Sequence, residues 1–302
     1  MSGGLDSQLA VRILERAGAE VEAVVFDTPF FDISEAKKAA IALGVKLHII
    51  DFLEDEISLI SSHVHGFGGA MNPCIDCHAK MIERAGELMR KLGYDFVATG
   101  EVQGQRPMSQ NRQAMGIVEN CSTMKGRLVR PLSALLLEPT IPEEEGKLDR
   151  AQLLDLSGRG RERQIALAKE LGLKEYPSPA GGCKLTERGF CRKLKDLQDH
   201  EGLLNDEGKA NRRLIELLVI GRRFRFPGGS SVILGRDGRE NAILKKESGT
   251  IIVPSSGKIG PTALIPELKS AEDAAFAQGL VDAYSKGTTE ADRLDFKPYQ
   301  IL

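Results

Sequence analysis

The sequence lacks any run close to the roughly 20 consecutive apolar residues that a membrane-spanning helix needs. Its N-terminus has neither the basic stretch nor the apolar segment of a secretory signal. No membrane partner is expected, and the expected location is cytoplasmic. An excess of one charge is also missing: 41 Lys and Arg face 43 Asp and Glu, for a net charge of -2. Any contact with nucleic acid must therefore come from local patches rather than from a field around the whole molecule. Internal repeats and low-complexity tracts are absent. Cysteine is scarce, and five of them in a chain without an export signal do not suggest a disulfide framework, because the cytoplasm keeps thiols reduced. Their placement is more informative than their number. Cys74 and Cys77 form a C-x-x-C pair, whereas Cys121, Cys183 and Cys191 stand singly.

What is present points to two domains, since 302 residues reach the size at which one hydrophobic core stops growing. In the first hundred residues, short β-rich runs alternate with helical patterns, as they do in an α/β domain with a parallel sheet and flanking helices. Helices are expected over 8–18, 33–43 and 77–92, and strands over 21–26, 46–51 and 95–99. Prolines punctuate the stretch up to about 195, and the polar stretch 200–210 reads as a linker. A smaller α+β domain is expected after it, with a helix over 211–219 and short strands near Phe224, 232–234 and 251–253. The predicted domains are thus 1–200 and 211–302.

Ser2-Gly3-Gly4-Leu5-Asp6-Ser7 runs directly into the first helix. Backbone N–H groups of a glycine turn and of a helix N-terminus converge there, which makes an anion site, and the serines add hydroxyl donors. Asp6 would be repelled by phosphate, so its useful role is to hold a Mg²⁺ ion that bridges the phosphates. The plainer alternative is a chain start followed by an Asp-Ser helix cap. A third thiol, Cys183, follows the glycine turn Pro179-Ala180-Gly181-Gly182, while Cys74 and Cys77 open a helix. Helix N-termini lower thiol pKa values. Three thiolates suit a [4Fe–4S] cluster with one open iron, a redox or persulfide site is a second reading, and a structural zinc with Cys191 or His78 as fourth ligand is a third. Inert buried thiols are a fourth.

The hexapeptide Ser2 to Ser7 resembles the signature of PP-loop ATP pyrophosphatases. Further segments, in order, are similar to PP-loop tRNA thiolation proteins related to ThiI, MnmA and TtuA: Asn72-Pro73-Cys74-Ile75-Asp76-Cys77, Gly104-Gln105-Arg106-Pro107-Met108-Ser109-Gln110, Arg130-Pro131-Leu132-Ser133, and Tyr176 through Thr186. The resemblance implies an adenine nucleotide α-hydrolase-like fold. It implies ATP and Mg²⁺ held by Ser2, Gly3, Gly4, Asp6 and Ser7, with Phe26, Thr28 and Gly100 facing the nucleotide. It also implies a [4Fe–4S] cluster on Cys74, Cys77 and Cys183, with Asp6, Cys74 and Cys183 as catalytic residues. In such proteins a strand precedes the loop. This chain supplies none, so a sheet short of a central strand and a truncated start are expected.

The expected activity is thiolation of a tRNA uridine, to 4-thiouridine or 2-thiouridine, by adenylation of the base and transfer of sulfur from hydrosulfide or a persulfide carrier. Gln105, Arg106, Ser109 and Gln110 follow the nucleotide turn and are candidates for ATP phosphates or the RNA backbone. Arg159, Arg161 and Arg163 are further candidate RNA contacts, and a solvated helix start explains these three equally well. In the C-terminal part, Arg222, Arg223 and Arg236 interleave with aromatic and glycine residues, which suits phosphate and base contacts. Alternating Arg and Phe is also the pattern of a half-buried strand. This part resembles the RNA-binding NFACT-R module. Two rivals remain: an ATP-dependent ligase or amidotransferase, which has no use for the cysteines, and a non-catalytic RNA-binding protein with a decayed nucleotide site. The sequence assigns no oligomeric state.

Overall fold

The computed structural model describes residues 1–106, 109–178 and 182–302. Pro107, Met108, Pro179, Ala180 and Gly181 of the motifs above lie outside the described residues. Helix α1 (Leu5–Arg16) follows the glycine turn directly because Gly3 sits at φ 81°, and a Cβ there would lie 2.3 Å from the backbone carbonyl carbon of Glu35. Only glycine fits so close an approach. The helix buries Leu5, Leu9, Ile13 and Leu14, a spacing that keeps one face apolar, in a core completed by Val102, Val129, Leu132, Leu148 and Ala168. Its N-terminus is thereby fixed near the strand ends that carry the residues expected to face a nucleotide.

Strand β1 (Ala23–Asp27), helix α2 (Ser34–Leu43) and strand β2 (Leu47–Asp51) make a β-α-β unit, with β1 and β2 parallel from Ala23 opposite Leu47 to Asp27 opposite Asp51. Helices α3 (Leu53–Ser62) and α4 (Cys74–Leu92) follow, and α4 stops at Gly93 in the left-handed conformation that glycine adopts without strain. Strand β3 (Val97–Ala98), helix α5 (Arg112–Cys121) and strand β4 (Leu128–Val129) form a second parallel pair. The short α6 (Ile141–Glu144) and α7 (Glu162–Glu170) complete the first unit, with α7 against α1. Among the described residues the two strand pairs are not hydrogen-bonded to each other. The first residues of the chain touch both: the Met1 amino group donates to the Val24 carbonyl, and Gly100, just past β3, abuts the backbone of Asp6 and Ser7.

The second unit contains α8 (Arg188–His200), α9 (Arg212–Leu217), β5 (Arg222–Arg225), β6 (Ser231–Leu234), α10 (Gly238–Leu244), β7 (Thr250–Ile252), β8 (Ala263–Ile265), α11 (Ala271–Ala283) and β9 (Gln300–Ile301). Its sheet is antiparallel in the order β7-β8-β6-β5-β9. One face is covered by α11, whose Ala277, Leu280 and Val281 pack with Phe224, Phe226, Val232 and Leu234. The two compact units are Met1–Thr186 and Glu187–Leu302, so the division falls before α8 rather than in the polar stretch 200–210. The reason is electrostatic. Asp196 of α8 and the adjacent Glu201 accept from Arg223 (Nε to Asp196 Oδ2, 2.9 Å) and from Arg225 (Nη2 to Asp196 Oδ2, 2.7 Å, and Nη1 to Glu201 Oε1, 2.6 Å). Removing one partner from a buried pair strands the other charge. Asp196→Ala is therefore expected to cost about 3–5 kcal/mol of stability. Denaturant unfolding followed by far-UV circular dichroism checks this, and a loss well under 1 kcal/mol would show that the cluster does not fix α8.

Candidate nucleotide and thiol site

The loop at the start of α1 has the makings of an anion cradle. Gly4 occupies the cap position with no side-chain cap, so the first N–H groups of α1 keep the open valences of a helix start. Ser7 Oγ donates to the Gly4 carbonyl at 2.8 Å, and the buried Gln8 ties the loop down by donating to the carbonyls of Gly3 (2.8 Å) and Glu175 (3.1 Å). Asp6 accepts from Gln105 Nε2 at 3.0 Å through Oδ2, while its Oδ1 is buried with no hydrogen-bond partner among the described residues. An orphaned carboxylate oxygen beside exposed N–H donors fits a Mg²⁺ ion neutralising bound phosphate. Phe26 is half-buried against Phe52, with ring centroids 5.1 Å apart. Thr28 is buried and its hydroxyl accepts from the Phe30 amide at 2.9 Å, so its side chain serves the turn after β1.

The turn after β3 is pressed onto this loop. A Cβ on Gly100 would lie 2.8 Å from the Asp6 carbonyl carbon and 2.8 Å from Ser7 Cα, which requires glycine. The next residue, Glu101, is held by Arg130: Nε donates to Glu101 Oε2 at 3.0 Å, Nη1 to Glu119 at 2.9 Å and Nη2 to the Met115 carbonyl at 3.0 Å. Burial pushes the Glu101 carboxyl up, but the His78 ring and the Arg130 guanidinium outweigh it and hold the group down at about 2. Ser133 steadies the next stretch, accepting from the Gln103 amide at 2.9 Å and donating to the Leu156 carbonyl at 2.6 Å. Arg130 and Ser133 belong to the Arg-Pro-Leu-Ser motif, to which pattern alone assigns no role. Their partners lie 11 to 30 residues away in the chain, beyond the reach of local patterning.

The cysteines meet in the same unit. Cys74 and Cys77 open α4, and the segment after Cys183 is docked beside them by hydrogen bonds from the Met71 amide to the Leu185 carbonyl (3.2 Å) and from the Lys184 amide to the Phe30 carbonyl (2.9 Å). Burial pushes the Cys77 thiol well up, with the charges of Glu56, Cys183 and Cys74 adding to it. Cys77 is thus a poor nucleophile. Cys74 is half-buried and its Sγ accepts from Asn72 Nδ2 at 3.1 Å, while Cys183 is also half-buried. The expected [4Fe–4S] ligation is not met by this arrangement: among the described residues no three His, Cys, Asp or Glu side chains are grouped to hold a metal ion. Cys121 is exposed and Cys191 is buried in the second unit. His78, four residues after Cys74 and so on the same helix face, lies 3.6 Å from Glu101 Oε1 and links the cysteine helix to the nucleotide turn.

The arginines divide into two groups. The loop carrying the exposed Arg106 runs beside the loop carrying Arg159, joined by a bridge between Gln103 and Ser157 and by a hydrogen bond from the Gly158 amide to the Gln103 carbonyl (2.8 Å). Arg159 is exposed, Arg161 half-buried, and Arg163 donates to Asp155 at 2.5 Å. With Gln105 on Asp6, this basic rim borders the nucleotide loop. In the second unit the expectation for Arg223 is corrected: it is 2 % exposed and spent on Asp196 and Glu201, so it does not face RNA. The half-buried strand is what the Arg-Phe alternation encodes there. Arg222 lies over the Tyr284 ring at 5.5 Å, and Arg236 is paired with Glu240 (Nε to Oε1, 2.9 Å).

Residues 1–122 match the family model described as the tRNA methyl transferase HUP domain, and residues 221–298 match that described as the NFACT protein RNA binding domain. The first part of the chain is thus similar to a HUP domain, and the C-terminal part to an NFACT-type domain. Its relatives include proteins named tRNA-specific 2-thiouridylase MnmA. That of Sulfurimonas denitrificans is 36% identical over 112 residues, covering 33% of this chain and 32% of the relative. That of Marinobacter nauticus is 31% identical over 124 residues, covering 36% and 32%. That of Dichelobacter nodosus is 25% identical over 209 residues, covering 63% and 52%. The chain therefore spans between about a third and a half of the length of these curated relatives. Among the described residues no helix is long and apolar enough to cross a membrane.

Two outcomes are expected from this geometry. Gly100→Ala forces a Cβ into the Asp6–Ser7 backbone, so ATP affinity measured by calorimetry falls at least tenfold, and unchanged affinity would dissociate the turn from the loop. Glu56, fully buried in α3, has its carboxyl pushed up by burial to about 8, against a weaker downward pull from the Thr28 hydroxyl. A folded-state value above the ordinary 4.5 means that stability is greatest below pH 4.5 and is lost as pH rises towards 8, with a slope of up to about 1.4 kcal/mol per pH unit from this group. Glu56→Gln should flatten the stability profile between pH 5 and 8, as read by urea unfolding at several pH values. An unaltered slope would contradict it.

Proposed function

We propose that this protein converts a tRNA uridine to 2-thiouridine at the cost of ATP. The supporting observation is the continuous path in the first unit from the Asp6–Ser7 loop through Gly100 and Glu101 to His78 on the helix that Cys74 begins. The names of the MnmA relatives support uridine C2 as the carbon that takes sulfur. A ligase or amidotransferase would not need thiols docked beside the nucleotide turn.

The loop N–H groups with Ser2 and Ser7 bind the phosphates of ATP and expose the α-phosphorus to the uridine O2. Asp6 and Gln105 orient one another, and a Mg²⁺ ion held on Asp6 would supply charge neutralisation for the departing pyrophosphate. The O2–phosphorus bond forms as the bond to pyrophosphate breaks. Sulfur then adds at C2, the C2–O2 bond breaks, and AMP leaves with that oxygen.

The sulfur is carried as a persulfide on Cys74, the half-buried thiol of the pair, loaded by attack of its thiolate on the outer sulfur of an external persulfide donor, whose own thiol is released. Its terminal sulfur attacks C2. The Cys183 thiolate then attacks the Cys74 sulfur of the mixed disulfide, releasing thiouridine and leaving a Cys74–Cys183 disulfide for a cellular thiol reductant. Arg106, Arg159 and Arg161 would meet the RNA backbone at the rim, and the second unit would add RNA affinity. The substrate would be tRNA in the cytoplasm.

Mass spectrometry of nucleosides from tRNA incubated with the protein, ATP and a sulfur donor should show 2-thiouridine, with pyrophosphate released in step. Asp6→Ala should lose both products by at least a hundredfold, whereas Cys183→Ser should keep pyrophosphate release and lose thiouridine. Absence of thiouridine with the unaltered protein defeats the proposal. Stoichiometric iron in anaerobically purified protein would replace the persulfide by a cluster.

A further inference from the structure

A hollow opens beside Cys74, lined by no residue of the nucleotide loop. It is lined by His65, Gly66, Phe67, Gly68, Cys74 and Ile75. Phe67 is 36% exposed and stacked on His63, with ring centroids 3.8 Å apart and planes tilted by 29°. The ring matters here for its place rather than its exposure, because apolar surface lining a hollow beside a reactive group is surface that a ligand can use.

The loop is built to hold that ring still. Asp76, in the first turn of α4, accepts from the amides of Val64 (3.1 Å) and His65 (2.9 Å) and pairs with His65 Nδ1 at 2.6 Å. Its other end is closed by the Gly68 amide on the Asn72 carbonyl (2.9 Å) and the Ala70 amide on Asn72 Oδ1 (3.0 Å). A Cβ on Gly68 would lie 2.3 Å from Asn72 Nδ2, the same amide nitrogen that donates to Cys74 Sγ. The aromatic ring and the thiol are therefore parts of one pinned assembly, and ordering has been completed before any ligand arrives.

The lining selects the kind of ligand. Among the described residues no Lys or Arg lines the hollow, which disfavours a phosphate group. A planar aromatic face flanked by glycines, with a sulfur atom at the edge, fits a flat heterocycle that stacks on the ring and presents a carbon to the thiol. Resting on the thiolation reading above, we infer that Phe67, backed by His63, is the stacking platform that receives the uracil ring turned out of the tRNA and sets its C2 against Cys74. Stacking on an aromatic side chain is tolerant of base identity but holds the ring plane, and a base must leave its own stack to be reached.

The test uses the full chain and tRNA carrying 5-iodouridine at the position where the unaltered protein makes thiouridine. Irradiation should cross-link that nucleotide to Phe67, and peptide mapping should place the adduct within residues 63–75. Phe67→Ala should lower kcat for thiolation about tenfold or more at saturating tRNA, with ATP affinity and melting temperature unchanged, and Phe67→Trp should restore most of it. A cross-link elsewhere, no cross-link, or unchanged kcat in Phe67→Ala overturns the platform while thiolation stands. Should the alanine variant not fold, the cross-link of the unaltered protein decides alone. If the unaltered protein makes no thiouridine, the function itself has failed, a result separate from the platform's.

Discussion

The ion pair between Arg130 and Glu101 is the constraint on which the candidate site depends. Glu101 has almost no contact with solvent, so its charge is tolerable because the Arg130 guanidinium and the His78 ring face it and the Thr99 hydroxyl donates to it. That pairing fixes a turn whose preceding residue, Gly100, touches the backbone of the phosphate loop. Through His78 it also fixes the helix on which Cys74 and Cys77 sit. One buried carboxylate thus relates the two halves of the chemistry. It remains charged across the physiological range, being held at about 2. Sign follows direction here: a carboxyl depressed in the folded state contributes stability that is present above its ordinary value and is lost only as pH falls towards 2.

The elements that carry strong local signals were legible in the sequence. Apolar β-rich runs located β1 and β2, helical spacing located α2 and most of α4, and the glycine-serine turn identified the start of α1. The Arg-Phe run read correctly as strand β5, yet the sequence could not tell which arginines point inwards. That choice is made by Asp196 and Glu201, more than 20 residues upstream. The same limit hid the domain boundary: α8 reads as part of the preceding domain until its carboxylates are seen to neutralise β5. Helix α3 carries an acidic first turn and a buried Glu56, a residue that polarity alone would place on the surface.

For the site, the motif residues were legible and their relationships were not. Ser2 to Ser7, Gly100 and the cysteines could be named from pattern and resemblance. Gln8, Arg130 and Ser133 could not be given roles, nor could the link of Gln105 to Asp6 be seen, because each acts on a residue remote in sequence. The iron–sulfur ligation expected for Cys74, Cys77 and Cys183 depends on the angles at which three thiols converge, which spacing does not encode. Burial of Cys77 separates it chemically from Cys74, although the two belong to one C-x-x-C motif.

The central claim is that the base oxygen is activated by the nucleotide held at the loop before sulfur takes its place. Following the fate of that oxygen tests this most directly. In tRNA labelled with oxygen-18 at uridine O2, the account predicts that each thiouridine formed yields one AMP carrying the heavy isotope on its phosphate. Thiouridine formed together with unlabelled AMP, the isotope appearing in water instead, would contradict it.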